Sequence, residues 1–173
     1  MPEKSYQDVN AEAITRWIAE GWEWGRPISH EEYARAVEGD WQILLTPTRP
    51  VPRAWFPPLA GTRVLGLASG GGQQMPLLTA AGARCCVLDY TRAQLDAERL
   101  VAEREGYDIE VVRADMTLGL PFADESFGLV ANPVSFCYVR EVEPIWREVA
   151  RVMEPGAVLL TGLDLGINYI VDD

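Results

Sequence analysis

Three successive glycines, Gly70, Gly71 and Gly72, follow the apolar run "VLGLA" after the single residue Ser69 and precede "QQMPLLTAAG". Each glycine costs conformational entropy and buries no side chain, so the backbone here must turn sharply or meet a neighbour closely. A loop that leaves a strand and opens a helix also offers its amides to a ligand. Asp89 ends the next apolar run, "RCCVLD". An acid about 20 residues beyond such glycines is placed to accept hydrogen bonds from both hydroxyls of a ribose. Capping the following helix is the other use open to it. Asp115, in "RADM", suits an adenine amino group with Met116 packed on the ring, or else simply forms a turn. Three such groups at one end of neighbouring strands point to an adenosine-containing ligand. A phosphate-binding loop is excluded, because no GK[ST] follows the glycines. The dinucleotide fingerprint fits only as Gly66-x-Ala68-x-x-Gly71, which puts its first glycine inside the strand, so an NAD-linked oxidoreductase is the weaker alternative.

These residues need elements to hold them together. Short β-prone runs at 63–68, 84–90, 109–115, 127–133 and 157–164 alternate with helical patterns at about 73–81, 91–106 and 141–154. In the second helix Leu95, Leu100 and Val101 form the expected apolar face, with Thr91 as cap and Gly106 as stop. Strand–helix alternation predicts an α/β fold, a three-layer, doubly wound, mostly parallel sheet with helices on both faces. In such a sheet ligands sit beyond the carboxyl ends of the strands, where residues 68–72, 89 and 115 fall. Residues 1–61 read differently. A helix is expected over about 8–20, with Val9, Ala13, Trp17 and Ile18 near helical spacing. Ser29 and Glu32 make a capping box for a second helix stopping at Gly39. The stretch 46–61, with Pro47, Pro50, Pro52, Pro57 and Pro58, must be an extended connector. The expected organisation is a helical, proline-rich lid over 1–61 and a cofactor-binding core over 62–173.

The formal net charge of −11 argues against a polyanionic partner such as nucleic acid. At 173 residues and 48% hydrophobic composition the chain suits one globular domain. Cys85, Cys86 and Cys137 form neither a disulfide framework nor a metal knuckle, so reduced thiols, no metal and a cytoplasmic location are expected. No secretory leader or membrane-length apolar run is expected from the residues present.

Four segments in order, "VLGLASGGGQQ", "CVLDY", "VVRADMTLGLPFADESFGLVANP" and "EVARVMEPGAVLL", resemble the motifs of class I S-adenosylmethionine-dependent methyltransferases, here of the small-molecule kind. The resemblance covers 62–164, and "WIAEGWEWGRPISHEEY" resembles the opening segment of a bacterial branch of that family. It implies a Rossmann-like methyltransferase fold and S-adenosylmethionine as cofactor. The cofactor-binding set it implies is Ala68, Ser69, Gly70, Gly71, Gly72, Gln74, Asp89, Tyr90, Asp115, Met116 and Asn132. There are departures from the pattern. Gly66 stands where the first motif carries an acid that helps hold the methionine ammonium group, and Ser69, Gln73 or Gln74 would have to substitute. Ala68 replaces its first glycine, and Gly128 replaces a usual aspartate.

The implied reaction is an in-line displacement in which the protein mainly aligns the reactants, with a base needed only for a protonated acceptor. Asn132, in "ANP", is a candidate for orienting an amine or hydroxyl acceptor, or a turn residue. His30, the only histidine, is a candidate base on the lid, or a solvated residue beside a helix cap. Ser135 and Tyr138 fall in the same region as Asn132. Trp22, Trp24 and Tyr33 read as packing residues, although an aromatic cage would use such side chains. The family usually adds two more strands after the fifth, so "GLDLGINYIVDD" is expected to mark a chain shortened from a longer parent. An uncovered fifth-strand edge would favour a homodimer. A nucleotide-binding module without catalysis is the alternative function.

Overall fold

The computed structural model describes residues 4–46 and 48–164. Most of the tail "GLDLGINYIVDD", expected to mark a shortened chain, lies outside the described residues. Five strands, β1 (Arg63–Leu67), β2 (Arg84–Asp89), β3 (Glu110–Arg113), β4 (Phe127–Asn132) and β5 (Met153–Thr161), form one parallel sheet in the order β3-β2-β1-β4-β5. Helices α3 (Gln74–Ala80), α4 (Arg92–Glu105) and α5 (Glu143–Val152) alternate with the strands, preceded by α1 (Tyr6–Ala19) and α2 (His30–Val37).

The central strands β1, β2 and β4 are apolar at almost every position because both of their faces are covered. Successive residues alternate between the faces. Val64, Cys85, Val87, Leu129 and Ala131 pack with Met75, Leu78 and Leu95 on one side. Leu65, Leu67, Cys86, Leu88 and Val130 pack with Ile145, Val149 and Val152 on the other. The upstream segment contributes Ala36, Trp41, Ile43, Val51 and Leu59 to the first of these cores. By contrast, α1 has no buried residue.

Three elements differ from the sequence expectation. The fifth strand begins at Met153 rather than 157. It pairs with Phe127, leaves register around Pro155 and Gly156, and resumes at Val158 opposite Leu129. Leu100 is 57% exposed, and the buried stripe of α4 is instead Gln94, Leu95, Glu98, Val101 and Ala102. In α1, Val9 and Trp17 point outward at 52% and 36% exposure. The capping box at Ser29 and Glu32 is present as predicted.

The loop "LGLPFADESF" is fixed by one arginine. Arg151 donates to the carbonyls of Leu120 and Phe122 and to the carboxylates of Asp124 and Glu148. Glu148 in turn accepts the Leu120 amide, and these contacts hold its carboxyl down at about 2.

Candidate functional site

A cavity of about 680 Å³ lies across the carboxyl ends of the strands. Its floor includes Ala68, Ser69 and Gly70 after β1, Asp89 and Tyr90 after β2, and Asp115 and Met116 after β3. Pro133, Val134 and Ser135 follow β4, and Leu163 and Asp164 follow β5. Gln73 and Gln74 face it from the start of α3. Helix α1 roofs it through Gln7, Asn10, Ala11 and Ile14, which recur at helical spacing along one face.

The roof is tied to three different strand ends by polar contacts. Gln7 Nε2 donates to Thr117 Oγ1 at 3.2 Å, beyond β3. Tyr90 Oη donates to Asp8 Oδ1 at 2.7 Å, beyond β2. Asn10 Nδ2 donates to the Tyr138 carbonyl at 3.1 Å, beyond β4. The Tyr90 hydroxyl, with help from Ser5, holds the Asp8 carboxyl below its usual range.

Asp89 is 8% exposed. Its Oδ1 accepts the Thr91 amide at 2.8 Å and its Oδ2 the Gly70 amide at 3.2 Å. Burial pushes its carboxyl up, and those backbone donors oppose the rise. Asp115 Oδ1 accepts both the amide and the hydroxyl of Thr117, at 2.8 and 2.7 Å. Ser69 Oγ reaches Gln74 Oε1 at 3.3 Å on the cavity wall, and Gln73 Nε2 donates to the carbonyls of Glu23 and Arg26.

The bare loop meets α4. A Cβ on Gly70 would lie 2.6 Å from Gln94 Cβ, and one on Gly72 would lie 2.8 Å from Val101 Cγ2. Gly71 and Gly72 also adopt φ of +109° and +69°, which disfavours side chains. The three amides are all engaged within the protein: Gly70 with Asp89, Gly71 with the Gln94 carbonyl at 2.9 Å, Gly72 with Glu98 Oε1 at 2.8 Å. The expectation that a ligand rests on these amides is therefore corrected. Their donors are spent, and the glycines are there because a helix packs against them. Gly66, where an acid was noted as missing, is occupied by Met75, whose Sδ lies 2.7 Å from where a Cβ would sit.

Of the residues singled out by sequence, Ala68, Ser69, Gly70, Gln74, Asp89, Tyr90, Asp115 and Met116 line the cavity together. Gly71 and Gly72 lie behind it. Asn132 is fully buried, donating to the Leu67 carbonyl and to Ser135 Oγ while its Oδ1 accepts from Thr161. It braces β1, β4 and β5 and has no hydrogen-bonding capacity turned to the cavity. His30 sits outside the cavity, its side chain 69% exposed and paired with Glu105 at 2.8 Å. Tyr33 stacks on Tyr107 at 5.5 Å, whereas Trp22 and Trp24 do line the cavity. The sequence reading missed Gln7, Asn10 and Ala11, whose spacing marks a helix face, and Gln94 and Glu98, which look like solvated helix residues. Among the described residues no His/Cys/Asp/Glu group could hold a metal ion, and no helix is long and apolar enough to cross a membrane.

A family profile described as "Methyltransferase domain" matches residues 65–161. The uncharacterized methyltransferase YbaJ of Bacillus subtilis is 39% identical over 163 residues, covering 94% of this chain and 64% of that protein. A demethylmenaquinone methyltransferase of Clavibacter sepedonicus is 39% identical over 102 residues, covering 57% of this chain and 40% of that one. The chain thus spans less than two thirds of the length of these relatives. Among solved structures, an S-adenosylmethionine-dependent methyltransferase from Mesorhizobium loti aligns at TM-score 0.55 and 28% identity, over 62% of this chain and 49% of its own. A structure from Methanococcus maripaludis covers 96% of this chain and 68% of its own at TM-score 0.60. At 15% identity it speaks to the fold alone.

Proposed function

Because this chain belongs to the methyltransferase-domain family, we propose that its cavity holds S-adenosylmethionine and directs the methyl group to a small-molecule acceptor. One observation carries the reading: the carboxylates of Asp89 and Asp115, at the ends of adjacent strands, open on a single cavity.

The residues present fit the cofactor. Each Asp89 oxygen spends one acceptor position on a backbone amide, and a carboxylate oxygen has a second. That second position on each suits the two hydroxyls of a ribose. Asp115 keeps Oδ2 for an adenine amino group, with Met116 and Ala114 on the ring. Ser69 and Gln74, already in contact, supply polar atoms toward the amino-acid end. The bound sulfonium supplies an electrophilic methyl group and leaves as a neutral thioether.

What remains for the protein is alignment and exclusion of water, and such positioning is worth several kcal/mol. The sheet order places the β4 and β5 ends beyond β1, on the side away from Asp115. There Leu44, Leu45, Val134, Val139 and Leu163 line the wall together with Ser135, Tyr138 and Asp164, so the acceptor presents an apolar body that carries a polar group. One relative's name, demethylmenaquinone methyltransferase, supports a small-molecule acceptor. We place the reaction in the cytoplasm on the free, buried thiols of Cys85 and Cys86, which burial pushes up to about 12.

Calorimetric titration with S-adenosylhomocysteine and, separately, with NAD tests the cofactor. Saturable binding of the first alone is expected, and binding of NAD alone would overturn the reading. Release of labelled methyl groups to phenol, thiol or amine acceptors tests catalysis, and binding without any transfer would leave a binding module.

A further inference from the structure

One carboxylate of α4 is hidden from solvent altogether. Glu98 is 0% exposed, whereas its helix neighbours Asp96 and Glu103 are exposed. A buried acid is costly unless something needs it. Its Oε1 accepts the Gly72 amide at 2.8 Å, and its Oε2 has no partner. The adjoining amides of Gly71 and Gly70 go to the Gln94 carbonyl and to Asp89. Of the two α4 groups that fasten this loop, Glu98 is the one that acts through its side chain. Val101 and Ala97 close the space around Gly72 on the α4 side, while its carbonyl accepts the Ile28 amide at 2.9 Å.

The charged and titratable groups facing Glu98 are Asp89 and Cys85 on β2 and Tyr107 beyond the end of α4. None of them is a cation. Burial, with a smaller contribution from Asp89, pushes the Glu98 carboxyl up to about 8, so it is neutral over most of the neutral range. A neutral carboxyl still accepts the Gly72 amide through Oε1.

We infer that Glu98 is a positioning residue for the cofactor site, holding the 70–72 loop from behind in the shape whose front, Ser69 and Gly70, faces the cavity. The inference rests on the cofactor reading above. The carboxylate absent at position 66 has a counterpart here, reaching the same loop from the helix side rather than from the strand. Ionisation strengthens the Gly72 hydrogen bond itself but leaves a buried charge with no cation beside it, and that burial, the larger effect, favours release of the loop from α4.

The test measures S-adenosylhomocysteine affinity by calorimetry for wild type, Glu98→Gln and Glu98→Leu, with circular dichroism to confirm folding. Glu98→Gln keeps the acceptor and is expected to bind within about twofold of wild type near neutral pH, while Glu98→Leu, which orphans a buried amide, binds about tenfold or more weakly. Raising the pH past 8 is expected to weaken binding by wild type more than by Glu98→Gln. Folded Glu98→Leu that binds like wild type would overturn the inference. So would superimposable pH profiles for wild type and Glu98→Gln, a comparison that stands even where the leucine variant does not fold. Wild type that fails to bind at all would instead overturn the cofactor reading itself, and the inference with it.

Discussion

Replacing Glu98 by glutamine should make the protein more stable at alkaline pH and slightly less stable in acid. The folded state raises this carboxyl from 4.5 to about 8. Between those values the folded protein keeps a proton that the unfolded chain releases, so wild-type stability falls as pH rises through that window. At about 1.4 kcal/mol per pH unit the loss reaches on the order of 5 kcal/mol by the alkaline end. Glutamine cannot ionise and is spared this loss. Its Oε1 keeps the Gly72 amide, but its amide nitrogen takes the place of Oε2, which has no partner, at a cost of about 1–3 kcal/mol independent of pH. The pH-dependent effect is the larger, so the two stability curves cross. Urea unfolding of both proteins at intervals from about pH 4 to about pH 9 measures it, with a net gain of a few kcal/mol expected at the top and a thermal midpoint higher by roughly 2–4 °C for each. Parallel curves would refute the claim that burial keeps a proton on Glu98 in the folded state.

Four further substitutions separate packing from binding. Gly70→Ala forces a methyl group to within 2.6 Å of Gln94 Cβ and 3.2 Å of its backbone carbon, and should cost about 1–3 kcal/mol of stability by thermal unfolding. Asn132→Ala strips the Leu67 carbonyl, Ser135 and Thr161 of a buried partner, and should cost about 1–3 kcal/mol of stability for each partner left unpaired. His30→Ala removes an exposed pair far from the cavity, so cofactor affinity and methyl transfer should match wild type, and a lost reaction would return His30 to the site. Asp89→Ala should weaken S-adenosylhomocysteine binding by about 1–3 kcal/mol in calorimetry, with some loss of stability because Thr91 and Gly70 lose their acceptor.

The parallel sheet was legible because its central strands, β1, β2 and β4, bury both faces, which leaves short apolar runs between turn signals. The positions of Asp89 and Asp115 were legible because strand ends in such a sheet share one edge. The reason for the glycines was not. A bare loop reads alike whether a ligand or a helix approaches it, and the approaching groups, Gln94 and Val101, are distant in sequence. Glu98 was hidden for a related reason: an acid in a helix reads as solvated, and only the loop folded against it shows otherwise. Asn132 was misplaced because a strand-end asparagine looks the same whether its amide faces a cavity or braces three strands. On α1, apolar residues drew attention to Val9 and Trp17, while the face that lines the cavity is the mixed one of Gln7, Asn10, Ala11 and Ile14.

A crystal structure grown with S-adenosylhomocysteine addresses the central claim most directly. Both ribose hydroxyls should hydrogen-bond to Asp89, the adenine amino group to Asp115, and the sulfur should point toward the β4 and β5 ends beneath α1. Electron density for the ligand elsewhere, or a cavity that stays empty at saturating ligand, would contradict it.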